Sequence, residues 1–130
     1  MQGDQQAGTK RSVLITGASG GLGAATTQRF TQSAWHVFAA DLTPPPAAQA
    51  VTPVEMDVTD TDSVADAINS VAPHIPGGLH CLVTFAGILA VGPLVEIPDE
   101  RLQHVIDVNV MGTPAPSGAA TRYCNERRAA

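Results

Sequence analysis

Short apolar runs that end at polar or glycine residues recur along the chain and predict β-strands. The first run, Ser12–Thr16, leads directly into glycine, which is typical of a strand buried on both faces. Three later runs have the same character: His36–Asp41, residues 54–58 and residues 79–84. The pattern therefore predicts four short strands.

Residues at helical spacing separate these runs. Thr61 is a suitable N-cap for one helix, which Pro73 closes, and a last helix is expected to begin near Pro98 or Asp99, where acidic side chains suit the helix dipole. After a glycine-rich turn over residues 17–23, the first helix is predicted from residues that recur at helical spacing: Leu22, Ala25, Thr26, Arg29 and Phe30. The apolar stripes expected on the other two are Val64, Ala65, Ile68 and Val71, and Leu102, Val105, Ile106, Asn109 and Val110.

Strands that alternate with helices specify βαβ units, so the predicted fold class is α/β, a doubly wound parallel sheet covered on both faces. We expect the strand order 3-2-1-4, which leaves residues 79–84 as an uncovered edge. The pattern fails after Thr113, since Pro114 and Pro116 each remove a donor and restrict the preceding residue. We therefore expect a flexible leader over 1–10, a sheet truncated after the fourth strand and its helix over 11–113, and an irregular arginine-containing tail over 114–130.

Composition excludes several classes of protein. With 130 residues, a net charge of −5 and a single lysine, the chain lacks the clustered cations of a nucleic-acid-binding surface. Its apolar runs are shorter than the ~20 residues that span a bilayer, and residues 1–10 lack the apolar core of a signal peptide. We therefore expect a cytoplasmic protein that has no membrane partner. Cys81 and Cys124 form no CxxC pair, and the four histidines have no ligand spacing, so no metal is expected.

The glycine-rich turn between the first strand and the first helix carries the strongest chemical signal. Glycines let the backbone approach a ligand and adopt positive φ, and free amides at a helix start attract phosphate. These properties suit a dinucleotide pyrophosphate, although G-x-G-x-x-G is not literally met. A tight connection without a ligand remains the alternative.

Asp41 ends the second strand, 24 residues beyond Gly17. A carboxylate there accepts both hydroxyls of an adenosine ribose and repels a 2′-phosphate. Asp41 therefore predicts NAD in preference to NADP, and a solvated strand-end acid is the alternative interpretation.

Together these features resemble the short-chain dehydrogenase/reductase family over about residues 11–113. The family's T-G-x-x-x-G-x-G motif is met by Thr16, Gly17, Gly21 and Gly23. The later motifs that match are the strand-end acid Asp41, the pair Asp57-Val58, the Ala86-Gly87 step followed by Ile88, and V-N-x-x-G-T at residues 108–113. The same glycine-rich turn also fits T-G-x-x-G-x-x-G, the motif of extended members of the family. The later motifs therefore decide which branch of the family the chain resembles.

The resemblance implies a Rossmann-type NAD-binding half-domain and hydride transfer between NAD(H) and an alcohol or ketone. It implies that Asn109 is a catalytic residue, since the family's asparagine orders a water-linked proton relay through a lysine. The cofactor-binding residues that it implies are Thr16, Gly17, Ser19, Gly20, Gly21, Leu22, Gly23, Asp41, Leu42, Asp57, Val58, Ala86 and Gly87.

The chain departs from the family in two places. Thr84-Phe85 stands where members carry two asparagines, and we interpret Phe85 as core packing. The family's downstream serine and Y-x-x-x-K pair are also missing, because Lys10 precedes the first strand and Tyr123 is followed by an arginine at the lysine position. Tyr123 comes only 14 residues after the asparagine, and the guanidinium fork differs from a compact ammonium, so we interpret it as a tail residue.

Three hypotheses follow. The first, which we favour, is an oxidoreductase by family whose 130-residue chain is truncated or frame-shifted and catalytically incompetent alone. The change in charge along the chain motivates it: residues 41–107 hold ten acidic residues and one basic residue, whereas the last nine residues hold three arginines and one glutamate. The second is a non-catalytic NAD-binding or regulatory module that forms a homo-oligomer or pairs with a full-length relative. The third is a chain that does not persist folded, because its strand edge invites aggregation.

Overall fold

The structure, a computed structural model, describes the backbone of residues 10–129 and the side chains of residues 10–121. The predicted leader, apart from Lys10, lies outside the described residues. Four parallel strands form one sheet in the order β3-β2-β1-β4: β1 (Ser12–Thr16), β2 (His36–Asp41), β3 (Val51–Glu55) and β4 (Cys81–Thr84). The predicted α/β class, parallel pairing and strand order are confirmed.

The described residues form four α-helices: α1 (Gly21–Gln32), α2 (Thr61–Val71), α3 (Asp99–Ile106) and α4 (Pro114–Ala129). Short 3₁₀ turns lie at Ala72–His74 and Leu94–Glu96, and a π-helical turn, Asp107–Met111, follows α3. Within the part of the chain that is described, no helix has the length and apolar character needed to cross a membrane.

The central strand β1 is buried on both faces, as its apolar run predicts. On one face Leu14 and Phe38 pack with residues of α2 and with Ala120 of α4. On the other face Val13 and Ile15 pack near Phe30 of α1. Because successive side chains of a strand point to opposite faces, one five-residue run serves both cores.

The boundaries of β3 and α2 differ from the prediction. β3 begins at Val51 and includes Pro53, because an edge strand tolerates a residue that cannot donate a hydrogen bond. Asp60, rather than Thr61, caps α2 by accepting hydrogen bonds from the next residues' amides. The buried stripe of α2 contains Ala67 in place of Ala65, since Ala67 shares the face of Val64, Ile68 and Val71.

The predicted irregular tail is wrong over the described residues, because α4 is helical from Pro114. Pro114 and Pro116 fall in the first turn of α4, where the backbone N–H groups have no partner within the helix and a proline costs little. Ala115 and Ala119 pack against the core next to buried Ala120. Small residues therefore let α4 pack closely on α2 and the core.

The inward stripe predicted for the helix after β4 is also wrong in part. Ile106 and Val110 are 48% and 53% exposed, whereas Val108 is buried. The π-helical turn inserts an extra residue into the helical repeat and so changes which side chains face the core. On α1, Leu22 is 71% exposed because buried Gly23 makes the close contact instead.

His36 at the start of β2 is expected to make stability fall in mild acid. Its Nε2 lies 2.8 Å from the Thr52 hydroxyl, and burial, followed by the positive charges of Lys10 and His74, holds the pKa of His36 below its ordinary value. The unfolded chain therefore binds this proton more readily, so the stabilisation is complete above about pH 6.5 and is lost as the pH falls below it.

Urea unfolding at several pH values between neutrality and pH 5 checks this expectation. Replacing His36 with glutamine should flatten the decline in the free energy of unfolding over that interval. Parallel declines for the variant and the parent chain would contradict it.

Candidate functional site

A cleft of about 240 Å³ opens at the carboxyl ends of all four strands and includes the point between β1 and β4 where the strand order reverses. Ligands of open α/β sheets bind at such a switch point. The cleft is lined by Thr16, Gly17, Gly20, Ala40, Asp41, Leu42, Met56, Asp57, Val58, Phe85, Ala86, Gly87, Ile88, His104 and Val108. Most of the residues implied by the sequence motifs thus meet in one place.

Five of the implied residues do not line the cleft: Ser19, Gly21, Leu22, Gly23 and Asn109. Conversely, six residues line it that are not among the implied cofactor-binding residues: Ala40, Met56, Phe85, Ile88, His104 and Val108. Met56 and Ile88 each stand beside a recognised motif, which is the signal that pointed towards them. His104 lies on α3, far along the chain, and had no such signal.

Two glycines make the turn after β1 possible. Gly17 has φ +67°, and a Cβ there would lie 2.6 Å from the backbone nitrogen of Ala86. A Cβ on Gly23 would lie 2.1 Å from the carbonyl oxygen of Gly17. Both positions therefore need glycine for packing within the protein, whatever else the turn binds.

Gly21 differs, since a Cβ there would meet no atom within 4 Å. Gly20 is the N-cap of α1 and offers no side chain to cap the helix. The first amides of an α-helix have no acceptor within the helix and carry its positive dipole end. The start of α1 therefore presents uncapped N–H groups beside open space, an arrangement that suits an anion.

Asp41 is held by the glycine turn and is not a freely solvated acid. Its Oδ2 accepts the backbone N–H of Ser19 at 3.0 Å, and its Oδ1 accepts the N–H of Thr43 at 3.3 Å. The hydroxyl of Ser19 donates to the carbonyl oxygen of Thr43 at 2.6 Å. Because a carboxylate offers about four acceptor sites, Asp41 keeps capacity for a ligand's hydroxyls.

Asp57 supplies a second carboxylate to the cleft. Its Oδ1 accepts the hydroxyl of Thr59 at 2.6 Å and the N–H of Thr59 at 2.9 Å. These bonds, with a smaller contribution from the charge of His104, outweigh burial and hold the pKa of Asp57 below its ordinary value. Asp57 is thus ionised at neutral pH and faces a cleft wall that includes apolar Val58 and Val108.

The segment after β4 closes the cleft beside the glycine turn. The N–H of Phe85 donates to the carbonyl oxygen of Thr16 at 3.0 Å, and the N–H of Ala86 donates to the Thr16 hydroxyl at 3.4 Å. Phe85 is 36% exposed and lines the cleft, so its interpretation as core packing is wrong. Its backbone abuts Gly17, since a Cβ on Gly17 would lie 2.8 Å from the carbonyl oxygen of Phe85.

Asn109, on the π-helical turn, binds the backbone after β4. Its Oδ1 accepts the N–H of Ile88 and its Nδ2 donates to the carbonyl oxygen of Ile88, both at 2.8 Å. A Cβ on Gly112 would lie 2.6 Å from Cγ2 of Val58, so the same stretch also packs closely on the Asp57-Val58 segment. Asn109 therefore fixes one wall of the cleft from outside its lining.

Replacing Asn109 with alanine should lower the free energy of unfolding by about 1–2 kcal/mol, because two hydrogen bonds of about 0.5–1.5 kcal/mol each are lost. Urea unfolding measures the change. Asn69→Ala, at an exposed position of α2, is the matched control and should lie within about 0.5 kcal/mol of the parent. Equal losses in the two variants would show that the two hydrogen bonds between Asn109 and Ile88 do not stabilise the fold.

Lys10 does not line this site. Lys10 precedes β1, and its charge acts on His36 at the amino end of β2. The cleft lies at the opposite, carboxyl ends of the strands. The backbone of Tyr123 is part of α4, and its side chain is outside the described part of the structure.

Comparison with known proteins gives one family. The family model for short chain dehydrogenase matches residues 11–130. The 3-oxoacyl-[acyl-carrier-protein] reductase MabA of Mycobacterium avium is 36% identical over 118 residues, which cover 91% of this chain and 46% of that protein.

Solved structures share the fold. The ligand-free aldohexose dehydrogenase of Thermoplasma acidophilum has a TM-score of 0.81 and 30% identity, over 88% of this chain and 44% of its own. The NADPH-bound carbonyl reductase from chicken fatty liver has a TM-score of 0.75 and 26% identity, over 88% and 48%. This chain thus spans less than half the length of these proteins.

Proposed function

Because this chain belongs to the short-chain dehydrogenase family, we propose that it is the cofactor-binding half of an oxidoreductase and that its cleft binds NAD. The observation that carries the proposal is the uncapped start of α1 beside Asp41, at the switch point of the sheet. The reaction we propose for the whole protein is hydride transfer between NAD(H) and an alcohol or ketone.

The residues of the cleft suit a dinucleotide. The amides at the start of α1, where Gly21 leaves open space, would hold the pyrophosphate. Asp41 would accept the hydroxyls of the adenosine ribose, and ionised Asp57 with apolar Val58 would hold the adenine. When bound, the nicotinamide supplies the carbon that accepts or donates the hydride.

Asp41 supports NAD as the cofactor, although the chicken carbonyl reductase binds NADPH. A charge-assisted hydrogen bond contributes about 1.5–3 kcal/mol, which corresponds to roughly a tenfold or greater preference. The same carboxylate repels a 2′-phosphate. Asp41 thus favours one cofactor and disfavours the other.

We also propose that the 130-residue chain binds the cofactor without turnover. The family's acid/base tyrosine depends on a neighbouring lysine, because reference pKa values near 10 for both groups require their mutual field to bring the tyrosine into working range. Lys10 lies near the amino ends of the strands, at the opposite end from the cleft, so it cannot take that role. The serine, tyrosine and lysine of the whole enzyme would belong to the half of the relatives that this chain does not span.

The partner that we propose is a second copy of the chain or a full-length relative. The half-buried strand β4 forms an edge of the sheet, and Leu89, Val91, Leu94 and Val95 expose apolar side chains nearby in sequence. Sedimentation of the purified chain, alone and mixed with a full-length relative, tests this. Sedimentation as a monomer at high concentration, both alone and in the mixture with the relative, would contradict the proposal.

Calorimetric titration of the purified chain with NAD and NADP tests the proposed function. We expect a single site of micromolar affinity for NAD, with weaker NADP binding, and amide NMR shifts concentrated at residues 17–23. Absence of heat and of shifts at millimolar concentrations of both would refute it. Turnover of NAD by the pure chain with a panel of alcohols would refute the proposed incompetence while leaving binding intact.

A further inference from the structure

Ser19 joins the glycine turn to the segment that follows β2. Its N–H donates to Oδ2 of Asp41 at 3.0 Å, while its hydroxyl donates to the carbonyl oxygen of Thr43 at 2.6 Å. The N–H of Thr43 in turn donates to Oδ1 of Asp41 at 3.3 Å. Ser19, Asp41 and Thr43 thus form a closed set of three hydrogen bonds, which we call the ribose clasp.

The segment beyond the ribose clasp is stiff. Thr43 precedes Pro44, Pro45 and Pro46, and three prolines fix their own φ angles while a following proline restricts Thr43 to extended backbone. A hydrogen bond to the carbonyl of Thr43 therefore fixes the direction in which this segment leaves β2.

Ser19 acts from outside the cleft. It is exposed and is not among the residues that line the cleft, whereas Asp41 and Leu42 are. A hydroxyl in this position influences a ligand through the residues that it holds.

We propose that Ser19 is a positioning residue that determines cofactor specificity. By holding Thr43, its hydroxyl keeps the Thr43 N–H on Oδ1 of Asp41 and so orients the Asp41 carboxylate towards the ribose hydroxyls, where it also repels a 2′-phosphate. The inference rests on the proposed function, because it assumes that the cleft binds NAD.

Calorimetric titration of the Ser19→Ala chain with NAD and with NADP tests the proposal. We expect the Kd for NAD to rise about threefold to tenfold and the preference for NAD over NADP to fall at least about threefold. Ser19→Thr keeps the hydroxyl and should restore the preference. Ser70→Ala is the matched control, since the hydroxyl of Ser70 also donates to a backbone carbonyl, that of Ala67 at 2.7 Å, on α2.

A double-variant cycle separates positioning from direct contact. If Ser19 acts through Asp41, Ser19→Ala should change the NAD-to-NADP preference less than about twofold in the Asp41→Asn background. An unchanged preference in the single Ser19→Ala chain, or an equal loss for both cofactors, would overturn the proposal. If the parent chain binds neither cofactor, the proposed function itself fails, which is a different result from binding with an unaltered preference.

Discussion

Replacing Gly23 with alanine is expected to lower the free energy of unfolding by about 3 kcal/mol or more. The added Cβ would lie 2.1 Å from the carbonyl oxygen of Gly17 and 2.6 Å from Cα of Ala18. Both are backbone atoms of the turn that follows the buried strand β1, so they have little room to shift. Since whole domains are stable by only about 5–15 kcal/mol, the variant should show a large drop in thermal midpoint or fail to accumulate.

Gly21→Ala is the matched control two residues away. A Cβ there meets nothing within 4 Å, and alanine is a better helix former than glycine, so the thermal midpoint should be unchanged or slightly higher. Under the proposed function the same methyl group would occupy space needed by the pyrophosphate, so NAD binding should weaken by about tenfold or more. Thermal unfolding and calorimetry together check the pair. A normal midpoint for Gly23→Ala would show that the turn relaxes more easily than its geometry indicates.

Asp41→Asn is expected to weaken NAD binding about tenfold and to strengthen NADP binding. The amide keeps the shape of the side chain but removes the charge, so the ribose hydroxyls lose a charge-assisted acceptor worth about 1.5–3 kcal/mol. The repulsion of a 2′-phosphate disappears at the same time. Calorimetric Kd values for both cofactors measure the change in preference.

The control for Asp41→Asn is Asp66→Asn, an identical change of charge at an exposed position of α2. It should leave both Kd values within about twofold of the parent, because a surface charge far from the cleft is screened by salt. A loss of NAD binding in both variants would assign the effect to net charge. An unaltered preference in Asp41→Asn would remove Asp41 from cofactor selection.

The fold was largely predictable because its signals are local. The run Ser12–Thr16 and the proline that closes α2 each act within a few residues, and the alternation of strands with helices predicted the parallel sheet that the chain forms. The two main errors have different causes, one in the position of a strand in the sheet and one in the position of prolines within a helix. Pro53 enters β3 because that strand is an edge, and α4 accepts two prolines because both fall in its first turn.

The candidate site divides in the same manner. The sequence by itself determined that a glycine turn follows β1 and that Asp41 ends β2, because strand ends and turn glycines are encoded by neighbouring residues. Only the tertiary structure decided that His104 faces the same cleft, that Asn109 holds the backbone of Ile88, and that the Asp41 carboxylate is tied to Ser19. Those relations join residues far apart in the chain, and they depend on the register of the strands and on the π-helical turn, which no local pattern specifies.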